Sequence, residues 1–189
     1  MKKVGLLGGT FDPPHIGHLF IAQEVQQRLG LDEVWFIPAY EAPHKAKSNT
    51  DADLRLQMVQ AAIHDNQRFR MNTIEVERLG KSYTFDTIKL LQEKHPNTAF
   101  HFIIGADLVE SLHTWHHIDE LVNMVTFAGV GRPGYKLETA YPVTFIEIPE
   151  LEISSSMIRS RVEQGASVRY LVPNAVFDVI KEQELYAER

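Results

Sequence analysis

The chain has 189 residues, of which 44% are hydrophobic and 23% charged, a composition typical of a globular protein with a packed core. Its formal net charge of -6 argues against a protein that grips nucleic acid backbones, although a local cluster of donors can still bind small phosphates. The absence of cysteines excludes disulfides and thiol catalysis, and no apolar run approaches the roughly 20 residues that span a bilayer, so we expect a cytoplasmic protein without membrane contact.

Apolar runs alternate with amphipathic segments along the first half of the chain. A predicted strand ends at two glycines, and the helix after it stops at Gly30, a residue typical of helix ends. In chain order we predict a strand at residues 3–7, a helix at 16–29, a strand at 33–37, a helix at 54–63 and a strand at 69–76.

The same alternation continues in the second half, where Thr84 and Asn174 are candidate helix caps. We predict a helix from residue 84, strands at 99–104, 125–130 and 143–148, and helices at 155–162 and 174–180. This order predicts one α/β domain over residues 1–189, a Rossmann-like doubly wound and mainly parallel sheet with helices on both faces. Ligands bind such sheets beyond the carboxyl ends of the strands.

The loop after the first predicted strand reads GGTFDPPHIGH, residues 8–18. Gly8 and Gly9 allow a ligand to approach the backbone closely, and Thr10 and Phe11 follow with backbone N–H groups. The start of the next helix adds its positive end, so the segment predicts an anion site. It is not a Walker A loop, because no Gly-Lys-Ser/Thr follows the glycines. It is not the dinucleotide fingerprint either, because the glycine spacing differs.

Two histidines lie three residues apart at this helix start. His15 and His18 can both contact one bound group, and imidazoles there can donate hydrogen bonds to phosphate oxygens and stabilise growing charge. Alternatively, His18 is an ordinary histidine on the apolar face of the helix. A zinc pair is disfavoured because the H-E-x-x-H pattern is absent.

A second candidate anion site lies near the other end of the chain, at ISSSMIR, residues 153–159. Ser154, Ser155 and Ser156 open a predicted helix whose free N–H groups point out of its start. Arg159 lies one turn further and can bring several donors to a pyrophosphate. Taken alone, the serines are simple caps of a surface helix, but two such helix starts in one chain favour a shared phosphate ligand.

Other polar residues follow the remaining predicted strands. Asp107 comes after Gly105 and either holds ribose hydroxyls or caps the next helix, and Lys45 is either an acceptor-phosphate ligand or an exposed loop lysine. His113, His116 and His117 have a spacing that shares one helical face, but no carboxylate completes a metal site, so we predict no metal held by the protein itself.

These motifs resemble those of a known enzyme superfamily. H-I-G-H at residues 15–18 and ISSSMIR resemble the nucleotidyltransferase signatures T/H-x-G-H and I-S-S-T-x-I-R, with Ser156 in place of threonine. GGTFDPPHIGH, APHK, SYTFDT, IIGAD, TWHHIDEL, GRPGY and ISSSMIR occur in the order found in bacterial nicotinate mononucleotide adenylyltransferases, over nearly the whole chain.

The resemblance implies transfer of AMP from ATP to nicotinate mononucleotide, giving nicotinate adenine dinucleotide and pyrophosphate in NAD biosynthesis, with Mg²⁺ bound through substrate phosphates. It implies catalytic roles for His15, His18 and Arg159. The implied ATP-binding residues are Gly8, Gly9, Thr10, Phe11, Gly105, Asp107, Ser154, Ser155 and Ser156. The implied acceptor-binding residues are Lys45, Thr84, Trp115 and His116, with His116 standing where relatives often have tyrosine.

Other functions remain open from sequence. One alternative is transfer of AMP to nicotinamide mononucleotide or to phosphopantetheine, or the corresponding reaction of CTP with an alcohol phosphate. A non-catalytic nucleotide sensor is another, but such a protein is expected to have lost a histidine of H-I-G-H or the serine–arginine helix. An NAD-dependent oxidoreductase is disfavoured by the missing fingerprint. We expect no nucleic acid partner; the sequence allows a homodimer without indicating one.

Overall fold

The computed structural model describes residues 1–43, 48–131, 134 and 138–187. The strands are β1 (Lys2–Gly9), β2 (Glu33–Pro38), β3 (Phe69–Met71), β4 (Thr98–Gly105), β5 (Thr126–Gly131) and β6 (Val143–Glu147). The helices are α1 (Ile16–Arg28), α2 (Ala52–Ile63), α3 (Ile74–Arg78), α4 (Thr84–Lys94), α5 (Ala106–Glu110), α6 (Ile118–Met124), α7 (Ser155–Glu163) and α8 (Asn174–Glu182). A 3₁₀ turn, Leu112–Thr114, lies between α5 and α6.

The strands form one sheet in the order β3-β2-β1-β4-β5-β6, and each neighbouring pair is parallel. From β1 the chain moves outward to β3, and it then returns to the centre of the sheet at β4 and moves outward on the other side. The winding direction therefore reverses between β1 and β4, so that their carboxyl ends, Gly9 and Gly105, flank the switch point. The predicted doubly wound α/β fold is confirmed.

Two apolar clusters fill the spaces between the sheet and its helices. Val34 and Phe36 of β2 belong to one cluster, whereas Trp35 and Ile37 belong to the other, because successive side chains of a strand point to opposite faces. The first cluster takes residues from α1, α2, α7 and α8, and the second from α3, α4, α5 and α6. Burial of the sheet on both faces explains why its strands read as continuous apolar runs.

The structure corrects the prediction for residues 69–76. The edge strand β3 ends at Met71, and helix α3 follows, because Asn72 turns the chain: its side-chain Oδ1 accepts a hydrogen bond from Ile74 N at 3.1 Å. The short helices α5 and α6 were not predicted. None of the described helices is long and apolar enough to cross a membrane.

The predicted caps of α4 and α8 are wrong by one residue, although the predicted first helical positions are confirmed. Thr84 and Asn174 are the first helical residues of α4 and α8, so the caps are Tyr83 and Pro173. Asp107 lies inside the first turn of α5, whose cap is Gly105. The alternative role of Asp107 as a helix cap is therefore wrong.

Candidate active site

The loop after β1 is anchored by a buried aromatic side chain. Phe11 has a left-handed backbone (φ 52°) and is 1% exposed, with its ring 5.0 Å from that of His18 and 5.7 Å from that of Phe36. Gly9 O accepts a hydrogen bond from Ala39 N at 2.9 Å, which ties the loop to the end of β2. Because the side chain of Phe11 is committed to the core, only its backbone is left to meet a ligand.

The two histidines of the motif form a stacked pair at the start of α1. The ring centroids of His15 and His18 are 3.7 Å apart, and His15 N donates a hydrogen bond to His18 Nδ1 at 3.2 Å. Gly17 leaves room for the pair, since a Cβ there would lie only 3.0 Å from His15 Nδ1. The predicted proximity of the two side chains is thus present in the structure.

Burial lowers the pKa of His15 to about 4, so its imidazole is neutral near pH 7. Its buried Nδ1 has no hydrogen-bond partner among the described residues. The unfolded chain takes up this proton near pH 6.5, whereas the folded protein resists it down to about pH 4. Because only the unfolded chain binds this proton, the free energy of unfolding decreases as the pH falls from 6.5 to about 4.

The helix start of α7 lies directly against the same loop. Ser155 Oγ donates a hydrogen bond to Pro13 O at 2.8 Å, and Arg159 Nη1 donates one to Asp12 O at 2.7 Å. Ser154 Oγ accepts from Met157 N at 3.2 Å and so caps the helix. The starts of α1 and α7 are distant in sequence but converge at one place, beside the switch point.

The side chain of Asp12, which connects the loop after β1 to other parts of the chain, was not singled out from the sequence. The Asp12 carboxylate, 6% exposed, accepts hydrogen bonds from Ser48 Oγ at 2.7 Å, Thr50 Oγ1 at 2.6 Å and the Tyr186 hydroxyl at 2.6 Å. Its donors come from the loop after β2 and from the segment after α8. An acidic residue in a segment otherwise suited to anions was the signal available in the sequence.

Arg55 of α2 was also missed, and it supports the loop from the protein interior. It is 2% exposed, and its Nη1 donates hydrogen bonds to Thr10 O at 2.8 Å and Ala39 O at 2.7 Å. Burial lowers the pKa of Arg55, and the negative charge of Asp12 opposes this change. Buried Arg55 thus donates hydrogen bonds to the backbone of the loop, and the buried Asp12 carboxylate connects the loop to two other segments of the chain.

Replacement of Tyr186 by phenylalanine tests the bond to Asp12. Burial and the neighbouring carboxylate both raise the pKa of Tyr186, as expected for a hydroxyl that donates to a charged group. We expect Tyr186→Phe to lower the free energy of unfolding by about 1.5–3 kcal/mol, measured by urea denaturation. Tyr170→Phe, at a tyrosine that is 82% exposed, is the control and should change it little. Equal stability of the two variants would contradict the role of this bond.

A cavity of about 590 Å³ opens beyond the ends of β4 and β5. His15 and Gly17 lie on one side of it, and Gly105 and Asp107 lie on another. Its apolar walls include Phe20, Ile21, Val130, Ile148, Pro149 and Ile153. The predicted ATP-binding residues Gly105 and Asp107 therefore share a cavity with the histidine motif, whereas the apolar wall was not predicted.

A second, smaller cavity of about 180 Å³ lies on the other side of the end of β4. Gly8, Gly9 and Thr10 line it together with three predicted acceptor residues, Thr84, Trp115 and His116. The His116 ring lies 4.7 Å from that of Tyr83. The described residues that line the two cavities do not overlap, so each cavity has its own walls.

Some predicted positions are not brought together or lie outside the described residues. Lys45 falls outside the described ranges. His113 lies in the 3₁₀ turn and His117 has a left-handed backbone (φ 53°), so the expected shared helical face with His116 is wrong. Within the described ranges, no group of three or more histidine, aspartate or glutamate side chains is placed to hold a metal ion.

Comparison with known proteins agrees with this geometry. The cytidylyltransferase-like family model matches residues 6–161. The probable nicotinate-nucleotide adenylyltransferase of Lactiplantibacillus plantarum is 54% identical over 188 residues, which cover 99% of this chain and 89% of that protein. The nicotinate-nucleotide adenylyltransferase of Bacillus subtilis is 48% identical over 187 residues, covering 98% of this chain and 99% of the relative.

A solved structure shares the fold at much lower identity. Plasmodium falciparum nicotinic acid mononucleotide adenylyltransferase complexed with NaAD superimposes with a TM-score of 0.81 at 22% identity, covering 98% of each chain. The family match and the close relatives both extend over the two helix starts and both cavities. The chain therefore belongs to the cytidylyltransferase-like family and, within it, to the nicotinate-nucleotide adenylyltransferases.

Proposed function

We propose that this protein transfers AMP from ATP to the phosphate of nicotinate mononucleotide and releases pyrophosphate. The observation that carries this proposal is the convergence of two helix starts, those of α1 and α7, on the loop after β1. His15 and Gly17 line the larger cavity, and Gly8, Gly9 and Thr10 line the smaller one. Helix starts bind phosphate through free N–H groups and the positive end of the helix dipole. The names of relatives about 50% identical support nicotinate nucleotide as the acceptor.

In the proposed reaction, an oxygen of the acceptor phosphate attacks the α-phosphorus of ATP and the bond to the β-phosphate breaks. The attacking oxygen is already anionic, so the enzyme needs no nucleophile of its own and acts by positioning and charge stabilisation. His15 and His18 contact the ATP phosphates, and backbone N–H groups of Thr10 and Phe11 approach them from the loop. Arg159 and the serines that open α7 receive the leaving pyrophosphate.

The larger cavity is assigned to the nucleoside part of ATP and the smaller one to the acceptor. Gly105 and Asp107 then lie beside the ribose, and the apolar walls lie beside the base. In the smaller cavity, the start of α4 at Thr84 offers backbone N–H groups to the ring carboxylate, and Trp115 stacks on the ring. Lys45, outside the described residues, is assigned to the acceptor phosphate.

Mg²⁺ fits this site as an ion held mainly by substrate. Three carboxylates, Asp107, Glu110 and Glu150, line the larger cavity and offer the oxygen donors that Mg²⁺ prefers. No described cluster forms a metal cage, which suits an ion that keeps water and phosphate ligands. Bound to the phosphates, it would neutralise charge that develops as pyrophosphate leaves.

Pyrophosphate release with two acceptors tests the proposal. At pH 6, we expect kcat/KM for nicotinate mononucleotide to exceed that for nicotinamide mononucleotide by about tenfold, because helix-start N–H groups favour a carboxylate over a neutral amide. Equal use of both acceptors at this pH would contradict this assignment of the carboxylate. Transfer only to phosphopantetheine would replace the proposed acceptor, and no release with any acceptor would indicate a non-catalytic nucleotide sensor. We further propose that the chain acts as one domain in the cytoplasm.

A further inference from the structure

A buried carboxyl group lies in the wall of the smaller cavity and has no role in the mechanism above. Glu75 belongs to α3 and is 7% exposed, yet it lines this cavity together with Ser82, Thr84 and His116. Burial of a carboxyl group is unfavourable unless hydrogen bonds or charges compensate it. Its position beside the proposed ring-binding residues therefore calls for a functional explanation.

The groups that contact Glu75 are mainly neutral donors. Thr87 Oγ1, which is fully buried in α4, donates to Glu75 Oε1 at 2.7 Å. The Ser82 hydroxyl donates to Glu75 as well, and its oxygen accepts from Tyr40 N at 3.1 Å. Arg78 on the same helix adds a positive charge, and its two terminal nitrogens are buried without hydrogen-bond partners among the described residues.

These surroundings leave the carboxyl group able to exist in either charge state. Burial raises the pKa of Glu75 to about 7, although the hydrogen bonds from Thr87 and Ser82 and the charge of Arg78 act in the opposite direction. The group therefore gains or loses its proton near neutral pH. A ring carboxylate of an acceptor, by contrast, remains ionised throughout this range.

The charge of Glu75 matters for the acceptor because this side chain lines the same cavity, of about 180 Å³, as the proposed ring-binding residues Thr84 and Trp115. Two like charges at short distance in a partly desolvated site repel each other far more strongly than in water. A neutral carboxyl group causes no such repulsion, and an ionised one can accept a hydrogen bond from an amide.

We propose that Glu75 is a specificity-determining residue, whose charge state sets how strongly an acceptor with a ring carboxylate is preferred to its neutral amide. This inference rests on the proposed function. Protonated Glu75 admits the acid, and ionised Glu75 opposes it. The preference for the acid therefore decreases as the pH rises.

Other titratable groups around this cavity have to be separated from Glu75. Arg78 lies on the same helix, Tyr83 precedes α4, and His116 approaches from the segment after Trp115, whereas α4 itself contributes the neutral Thr84 and Thr87. His116 lines the same cavity as Glu75, so its contribution to the acid preference has to be measured separately. Variants of both residues are therefore needed.

The experiment measures kcat/KM for nicotinate mononucleotide and for nicotinamide mononucleotide between pH 6 and 8.5, at fixed ATP and Mg²⁺. The ratio of the two values cancels ionisations of ATP, of the acceptor phosphates and of groups that act equally on both reactions. In the unmodified protein the acid-to-amide ratio should fall about tenfold or more as the pH rises through 7. In Glu75→Gln the ratio should be independent of pH.

Three further variants distinguish the causes. Glu77→Gln changes an exposed carboxylate of the same helix, and its acid-to-amide ratio should depend on pH as in the unmodified protein. Thr87→Val removes a hydrogen bond that favours the ionised carboxyl group, so the midpoint of the change should move to higher pH. His116→Gln should keep a Glu75-dependent fall in the ratio.

Calorimetry provides a readout that does not depend on turnover. Near pH 7.5, binding of the acid should take up protons, because the bound carboxylate favours protonated Glu75, and binding of the amide should not.

If Glu75→Gln does not fold, the midpoint shift in Thr87→Val and this proton uptake test the inference. A ratio that does not change with pH in the unmodified protein, or that falls equally in Glu75→Gln, overturns the inference. Failure of the unmodified protein to adenylylate either acceptor overturns the proposed function instead.

Discussion

His18→Ala should lower the turnover of adenylyl transfer by about two to four orders of magnitude while the protein keeps its fold. The His18 ring stacks on His15 and lies next to the convergence of the helix starts of α1 and α7, where negative charge grows as pyrophosphate leaves. An alanine removes a donor that acts mainly in the transition state. The loss should therefore appear in kcat more than in KM for ATP.

The measurement is steady-state pyrophosphate release, with circular dichroism and thermal unfolding as checks of the fold. His64→Ala is a matched control, because His64 follows α2 at an exposed position away from both cavities. It should keep normal turnover. A folded His18→Ala protein with near-normal kcat would remove this histidine from the catalytic site.

Arg55→Ala should destabilise the protein more than Tyr186→Phe does. Removal of the guanidinium leaves the carbonyl oxygens of Thr10 and Ala39 without their buried donor, and it removes one of the positive charges near the buried Asp12 carboxylate. A buried acceptor left without its donor costs about 1–3 kcal/mol, and truncation of a large buried side chain adds a cavity, so we expect a total loss of about 3–5 kcal/mol. For a chain of this length, such a loss corresponds to a decrease in Tm of roughly 10 °C.

Arg70 offers a control with the same chemistry in a different environment. Its Nη1 also donates to two backbone carbonyls, those of Gln67 and Phe69, but its side chain is 53% exposed. Because water replaces the lost donor there, Arg70→Ala should cost less than about 1 kcal/mol. Arg55→Met, which keeps much of the volume, separates lost hydrogen bonds from the cavity. Equal midpoints of urea denaturation for Arg55→Ala and Arg70→Ala would contradict the supporting role of Arg55.

The fold was predictable where local pattern and tertiary role agree. Strands β1, β2, β4 and β5 are buried on both faces, so continuous apolar runs mark them, and glycines mark the ends of β1 and β4. The region after Phe69 was mispredicted because its alternating polarity is compatible with two structures. It fits one long strand, and it fits a short strand followed by a short helix equally well. There the Asn72 side chain turns the chain through a local hydrogen bond to Ile74 N, and Glu75 is buried through partners distant in sequence.

Positions in the candidate site were predictable where they follow from a strand end or a helix start. Gly8 and Gly9 lie at the end of β1 and the two histidines at the start of α1, as predicted, and Thr84 and Trp115, assigned by resemblance, line the smaller cavity. Asp12, Arg55 and Glu75 were missed because each depends on partners brought near by folding. Tyr186 reaches Asp12 across 174 residues, and no spacing rule connects such positions.

The separation of the two cavities has a consequence for the order of events in a catalytic cycle. With ATP and the acceptor in the separate cavities proposed above, neither has to leave before the other arrives, and no nucleotidyl-enzyme is required to carry AMP between them. Chemistry then depends on simultaneous occupancy of both compartments. Such a layout corresponds to a sequential bisubstrate reaction, in which a ternary complex forms before any product departs.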